Sequence, residues 1–231
     1  MIYFGLDNLL TYGLLILAFI VVVAAQAKIT SAYNKFKRVK SKGNLSGQEV
    51  ARRILDENGL KDIYIVEVRG ELTDHYDPGR KVIRLSHEVF HGTSIASLSV
   101  AAHECGHAIQ DKVGYTMMRI RSALVPFVNF VTYLGYFGLI VSIFAGITGY
   151  IKLSILVLCA TLLFQLVTLP VELDASKRAL AQLKQLSLVD EEEQNSSKQM
   201  LQAAALTYVA ALASTILNLL RLIIILDHRD N

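Results

Sequence analysis

The amino-acid sequence predicts an α-helical multi-pass membrane protein with four spans and a small α+β domain outside the bilayer. Of its 231 residues, 53% are hydrophobic, which is more than a typical soluble domain contains. Much of the excess lies in four apolar blocks that each reach the ~18 residues needed to cross a bilayer core, at 9–27, about 124–149, 153–170 and 206–226. No basic residue precedes the first block, so we expect an uncleaved span rather than a secretory signal.

The distribution of basic residues predicts which side of the membrane each segment occupies. Residues 28–42 contain six lysines and arginines and no acidic residue, and 16 of the 23 basic residues fall between Lys28 and Arg121. By the positive-inside rule this segment faces the cytoplasm, and the amino terminus lies outside. The net charge of +3 does not indicate nucleic acid as a partner, and the basic cluster suits anionic lipid headgroups.

The cytoplasmic segment has the pattern of a small α+β domain. Ser46 and Glu49 form a capping box at the start of a helix. Alternating, β-branched residues predict two strands that can pair, and an exposed edge of their sheet can hold an extended peptide by strand addition. The expected order is helix, strand, turn, strand and a long helix, at 46–58, 62–68, 70–79, 81–85 and 93–111.

The long helix carries the pattern H-E-x-x-H within AAHECGHAIQ, residues 101–110. On an α-helix His103 and His107 stand on one face, so that one metal ion can bind both. Glu104 points to the flank of that face, where it can take a proton from a water held by the metal. The surrounding residues are small or apolar, and buried histidines and a glutamate need a partner such as a divalent ion. Gly106 indicates that another backbone packs closely there.

The histidine pair lacks a third protein ligand, because a catalytic zinc has three protein ligands and one open position. Spans two and three are expected to form a hairpin with a tight turn near 149–152, which returns the chain after Pro170 to the side of the long helix. Glu172 is our candidate for the third ligand. In the alternative interpretation, Glu172 and Asp174 are a solvated helix start.

Other histidines and cysteines receive structural interpretations. None of the histidines at 75, 87 and 91 has helical spacing to the motif histidines, so we expect surface or structural roles, although one of them or Tyr76 could stabilise an oxyanion. Cys105 and Cys159 indicate no disulfide framework. Cys105 points away from the histidine face and is expected to be an inert buried thiol.

Two features near the carboxyl-terminal span are interpreted as positional. Asp190 and Glu193 are spaced for capping of the helix that leads into this span. Arg221 lies five residues before the end of the span, where its side chain can reach the interface.

The predicted organisation is a first span, a zincin-like domain, a membrane hairpin, a helical segment with the third ligand, and a last span with a short tail, at 1–27, 28–122, 123–170, 171–205 and 206–231.

The sequence resembles the YugP-like family of bacterial membrane-bound neutral zinc metallopeptidases. The segments that carry the resemblance are 72–78 (LTDHYDP), 82–86 (VIRLS), 101–110, 170–179 (PVELDASKRA) and 203–210 (AAALTYVA). The motif and the glutamate after a hairpin are also similar to the HtpX-like and CaaX-processing membrane proteases. This similarity implies Zn²⁺ as cofactor, Glu172 as third ligand, and a multi-pass location in the bacterial inner membrane. Those proteases usually have an aspartate four residues after the glutamate, where this chain has Ser176, with Asp174 two residues after it.

Together these observations predict a zinc-dependent endopeptidase that hydrolyses membrane or membrane-proximal proteins. His103, His107 and Glu172 would hold the zinc, and Glu104 would be the catalytic base. The alternative is a non-catalytic scaffold or adaptor that zinc stabilises, although a structural zinc usually has four protein ligands and no need of Glu104. The ligand types would also suit iron or manganese.

Overall fold

The structure, a computed structural model, describes residues 2–145 and 150–230. Within these residues the chain forms seven helices and one three-stranded sheet. The helices are α1 (Ile2–Phe36), α2 (Gly47–Glu57), α3 (His87–His91), α4 (Ile95–Lys112), α5 (Thr116–Ala145), α6 (Tyr150–Gln185) and α7 (Glu191–Asp230). The strands are β1 (Tyr64–Val68), β2 (His75–Asp77) and β3 (Val82–Ser86).

Three of the described helices contain segments long and apolar enough to cross a membrane. These segments have mean hydropathies of 2.4, 2.2 and 2.3 and are Leu9–Phe36, Ile151–Gln185 and Glu191–His228. The mostly helical, membrane-associated character predicted from the sequence is thereby confirmed. The remaining predicted span, 124–149, and the hairpin turn at 149–152 extend into residues 146–149, which lie outside the described residues, so the count of four stays a prediction.

The chain divides into two compact units. The first consists of Met1–Gln26, Ile120–Leu169 and Thr207–Asn231, and the second of Ala27–Arg119 and Pro170–Leu206. In the first unit α5 and α6 pack closely, because a Cβ at Gly135 would lie 2.4 Å from a methyl group of Val157. Small residues at such points let two helices approach each other. The second unit contains the sheet, α2, α3, α4 and all residues of the motif.

The predicted capping signals of α2 and α7 are present. Both hydrogen bonds of the capping box at Ser46 are formed, and the chain leaves α2 through Gly59 with a positive φ of 65°. At the start of α7, Asp190 and Glu193 exchange reciprocal bonds of 2.9 Å from backbone N–H to carboxylate. These interactions satisfy backbone groups that the first helical turn leaves without partners.

The sheet has the order β1-β3-β2, with β1 parallel and β2 antiparallel to β3. The two predicted strands pair as expected, from Tyr64 opposite Val82 to Val68 opposite Ser86. The third strand, β2, lies inside the stretch expected to be a turn. Its three residues are too few to show strand periodicity, and their sequence, His-Tyr-Asp, is polar. The central strand is β3, so only β1 and β2 offer free edges.

Helix α4 lies in the core of the second unit. Ser94 caps it by accepting a hydrogen bond from the Ser97 backbone. Fourteen of its 18 residues are buried. Its core neighbours include fully buried residues from α2, β3 and α6, namely Val50, Ile54, Leu55, Ile83, Leu85, Ala179 and Leu183.

Candidate metal centre

The motif helix α4 and helix α6 meet backbone to backbone. A Cβ built on Gly106 would lie 2.4 Å from the carbonyl oxygen of Ala175, closer than real Cβ atoms come to any atom. The close approach expected from Gly106 is therefore present, and the neighbouring backbone belongs to α6. This contact places the segment around Glu172 against the histidine face of α4. Pro170 lies inside α6, which continues unbroken past it.

The structure brings the three candidate ligands together. One ligand atom from each of His103, His107 and Glu172 lies within 4.8 Å of the others. The Glu172 Oε2 atom is 3.2 Å from His103 Nε2 and 3.5 Å from His107 Nε2. Glu172 lies in the middle of a helix with 3% of its surface exposed, which contradicts the alternative of a solvated helix start.

These separations suit a tetrahedral zinc ion. With zinc–ligand bonds of 2.0–2.1 Å, two ligand atoms of a tetrahedral site lie about 3.3 Å apart. Two neutral imidazoles and one carboxylate leave the fourth position for water, as in catalytic rather than structural sites. The donor set therefore fits the ion that the sequence predicts.

Hydrogen bonds on the far side of each imidazole orient the candidate ligands. His103 Nδ1 lies 3.2 Å from Ser176 Oγ, and His107 Nδ1 lies 3.0 Å from Gln110 Oε1. A proton on each Nδ1 satisfies these contacts and leaves each Nε2 free to bind a metal. Ser176 and Gln110 are thus positioning residues that sequence reasoning did not identify as such. Gln110 follows His107 by about one helical turn, and this spacing was the sequence signal for their contact. The structure adds that Gln110 is fully buried.

Asp174 reaches the centre indirectly. The Gln110 Nε2 amide donates to Asp174 Oδ2 at 2.9 Å and to the Val171 carbonyl at 2.8 Å. Arg178 in turn donates from Nε to the same aspartate oxygen at 2.6 Å. Asp174 therefore fixes the amide that contacts His107, whereas the direct contact to His103 is made by Ser176.

The electrostatics of the centre follow from its burial. Glu104 is 7% exposed and follows His103 directly on α4. Burial by itself lowers the pKa of His107, but the hydrogen bond with Glu172 and the charges of Glu104 and Glu172 outweigh burial and raise this pKa. A site with this excess of negative charge favours a cation, which a bound divalent ion supplies.

The other candidate residues have hydrogen-bond partners outside this cluster. His75 Nδ1 faces the Thr73 carbonyl at 2.8 Å, and the Tyr76 hydroxyl donates to Asp111 at 2.9 Å. Burial and that bond raise the pKa of Tyr76 above its usual range. Cys105 is buried with its Sγ 3.6 Å from the Ala51 carbonyl, and burial strongly raises its pKa, which agrees with the prediction of an inert thiol.

A second H-E-x-x-H pattern occurs in the chain, and our sequence reasoning overlooked it. Residues 87–91 read HEVFH and form helix α3. His87 and His91 lack helical spacing to the motif histidines, as predicted, but they have it to each other. Together with Glu67 of β1 they form an exposed cluster. The recurrence of H-E-x-x-H at residues 87–91 was the sequence signal that could have indicated this cluster.

The chain has apolar helices that can cross a membrane. It also has a buried His-His-Glu cluster next to the glutamate of an H-E-x-x-H pattern. These two features define its class, a membrane-associated protein with a candidate site of the zinc-peptidase type. A family model described as "Putative neutral zinc metallopeptidase" matches residues 11–227. The chain therefore belongs to this family of neutral zinc metallopeptidases, as its resemblance predicts. It is 42% identical over 207 residues, 89% of this chain and 92% of the relative, to "Putative membrane protease YugP" of Bacillus subtilis (strain 168). No solved structure matches the chain.

Proposed function

We propose that the chain is a zinc-dependent endopeptidase that cleaves membrane or membrane-proximal proteins. The observation that carries this proposal is the meeting of His103, His107 and Glu172 beside the buried Glu104. The family and the relative named a membrane protease support it. The site has the ligand number of a catalytic centre and a carboxylate that a purely structural centre does not require.

His103, His107 and Glu172 would hold the zinc, each through one atom. When bound, zinc polarises the scissile carbonyl and lowers the pKa of a water in its open position towards ~7. Ser176 and Gln110 keep both imidazoles oriented. The contact at Gly106 fixes the spacing between the histidines and the glutamate, because neither backbone can move inward.

Glu104 would be the general base and then the general acid. Its carboxylate takes a proton from the attacking water and delivers the proton to the leaving amine. Burial keeps bulk water away from this carboxylate, which strengthens its interaction with nearby charge. This role requires a carboxylate at position 104, since an amide cannot accept the proton.

The substrate would bind in extended form along the free edge of β2. Strand β2 is an edge strand, and its Tyr76 is hydrogen-bonded to Asp111 of the motif helix. A peptide added to this edge would run beside α4, and backbone hydrogen bonds would hold it regardless of its sequence. Because β3 is the central strand, a free edge of this sheet belongs to β1 or β2.

The proposed topology has four spans with the catalytic domain in the cytoplasm. The concentration of lysine and arginine in residues 28–121 supports this orientation. The second compact unit joins Ala27–Arg119 with Pro170–Leu206, which supports one domain assembled from two segments separated in sequence. Substrates would then be proteins in or near the inner face of the membrane.

Zinc content and proteolysis of the detergent-purified full chain test this proposal. We expect His107→Ala and Glu172→Ala each to hold about one zinc ion fewer per chain than wild type and to cleave no membrane-protein substrate. Glu57→Ala, which removes an exposed carboxylate on α2, is the matched control and should behave as wild type. Undiminished zinc in Glu172→Ala would move the third ligand elsewhere. Zinc binding without any cleavage by wild type would favour the scaffold alternative.

A further inference from the structure

A second cluster of two histidines and one glutamate lies on the surface of the sheet-containing unit. His87 and His91 occupy the first and last positions of α3, four residues apart on one helical face. Glu67 lies on β1, which pairs in parallel with β3, the strand that leads directly into α3. Because the carboxyl ends of the two strands lie side by side, Glu67 comes next to the start of α3.

The glutamate contacts both imidazoles. The Glu67 Oε1 atom is 2.7 Å from His87 Nδ1, and Glu67 Oε2 is 3.0 Å from His91 Nε2. The centroids of the two imidazole rings are 4.9 Å apart. Three ligand atoms, one from each residue, lie within 4.8 Å of one another, the same limit that the buried cluster meets.

We propose that Glu67, His87 and His91 form a second binding site for one divalent transition-metal ion such as zinc. The separations between carboxylate and imidazole atoms need to widen by only a few tenths of an ångström to reach the about 3.3 Å expected around tetrahedral zinc. Two imidazoles with one carboxylate suit zinc, cobalt, nickel or copper and not calcium or magnesium, which prefer oxygen ligands.

The exposure of the three ligands distinguishes this site from the buried one. Their side chains are 73%, 56% and 42% exposed for His87, His91 and Glu67, against at most 16% in the buried cluster. Solvent can therefore complete the coordination shell and compete with the ligands. The exposed site is weaker and exchanges its ion with solution, whereas the buried site retains it.

The exposed site binds metal without a general base of its own. Glu88, which follows His87 as Glu104 follows His103, accepts hydrogen bonds from Lys37 at 2.6 Å and from Tyr33 at 3.3 Å. These contacts engage its carboxylate with the hydroxyl of Tyr33 on α1 and with the ammonium of Lys37, the residue that follows α1. A bound ion would instead join β1 to α3, two elements linked in the fold by the Glu67 contacts.

Zinc stoichiometry of the full chain in detergent tests the site. After chelation and dialysis against micromolar Zn²⁺, wild type should hold about two zinc ions per chain and the double variant His87→Ala/His91→Ala about one. His75→Ala removes an exposed histidine outside the cluster and is the matched control, with the wild-type value expected. Equal zinc in wild type and the double variant would overturn the proposal.

Two further measurements separate this site from the buried one and from misfolding. Glu67→Gln keeps the size of the side chain and should weaken the second binding event, seen as loss of the second Co²⁺ absorption step on titration. Glu172→Ala should keep the exposed ion while it loses the buried one. If Glu172→Ala shows cooperative thermal unfolding and still binds no metal, the exposed site does not exist, whatever happens at the buried cluster. If it binds one ion that His87→Ala/His91→Ala then removes, the proposal holds even without proteolysis.

Discussion

Two stretches of the chain share one pattern and differ in what surrounds them. Residues 87–91 and 103–107 both read H-E-x-x-H, and each pair of histidines meets one glutamate from a distant element. The first pattern occupies a five-residue helix on the surface, and the second lies within a buried helix of 18 residues. The fourth position holds Phe90 in one and Gly106 in the other, and only the glycine allows a second helix to approach.

Under the two proposals made above, the pattern supplies the metal ligands, and the surroundings of each cluster determine what chemistry they can support. Glu104 is buried beside its histidines, whereas Glu88 is engaged by Lys37 and Tyr33. Ser176 contacts the His103 Nδ1 atom, on the side of the imidazole away from Glu172. A metal centre becomes catalytic where a shielded carboxylate and supporting hydrogen bonds accompany the ligands.

The largest expected difference is between the two third ligands. Glu172→Gln should lose the buried zinc and lower proteolysis by more than about 10⁴-fold, because the metal and the proton transfer it enables are lost together. Glu67→Gln should leave proteolysis at the wild-type rate. Rates with a membrane-protein substrate and elemental analysis of both variants make the comparison, and a similar loss in both would show that the two clusters act as one.

The next difference separates the two glutamates inside the patterns. Glu104→Gln should lower kcat about 10²- to 10⁴-fold with unchanged zinc content, because it removes only the proton acceptor. Glu88→Gln should leave kcat unchanged and weaken only the contacts to Tyr33 and Lys37. Steady-state kinetics beside zinc analysis check this pair. A fully active Glu104→Gln would require another base.

A smaller effect is expected where the two helices touch. Gly106→Ala should destabilise the chain by about 1–3 kcal/mol, because the added methyl would overlap the Ala175 backbone and force α4 and α6 apart. Gly43→Ala is the control, since a Cβ there meets its nearest atom at an ordinary 3.7 Å. Thermal unfolding in detergent with and without zinc measures both. Equal stability of the two variants would mean that α4 and α6 can move apart without lowering the free energy of unfolding.

The smallest effect concerns the support of one imidazole. Ser176→Ala should weaken zinc binding about tenfold, because His103 loses the partner of its outer nitrogen. Ser31→Ala, which truncates an exposed serine on α1, should bind zinc as wild type does. Competition with a zinc chelator measures both affinities. An unchanged affinity in Ser176→Ala would show that helix packing alone orients His103.

Local patterns in the sequence predicted local structure. Contacts between segments that are distant in sequence could not be predicted in the same way. The capping boxes at Ser46 and Asp190 and the buried motif helix follow from residues within a few positions of one another. Glu172 could be proposed because the chemistry of zinc required a third ligand. The contact between Ser176 and His103 depends on how α6 is rotated towards α4, which spacing within one helix does not reveal.

The sheet and the exposed cluster show the same limit. Strand β2 is a strand only because β3 lies beside it, so its three polar residues carry no period of their own. Glu67 meets His87 and His91 because of the parallel register of β1 and β3. The second H-E-x-x-H was readable in the sequence, but its short, exposed helix lacks the apolar surroundings that marked the first.

Because different lengths of chain separate their ligands, the two clusters are completed at different stages of translation. The ribosome completes the exposed cluster at residue 91, within 24 positions of Glu67. Glu172 follows His103 by 69 positions, with α5 and the apolar part of α6 between them. Because translation runs from the amino terminus, a nascent or truncated chain that ends before α6 holds both histidines but cannot form the proposed zinc site. The proposed proteolytic activity would therefore begin only after the intervening helices have been made.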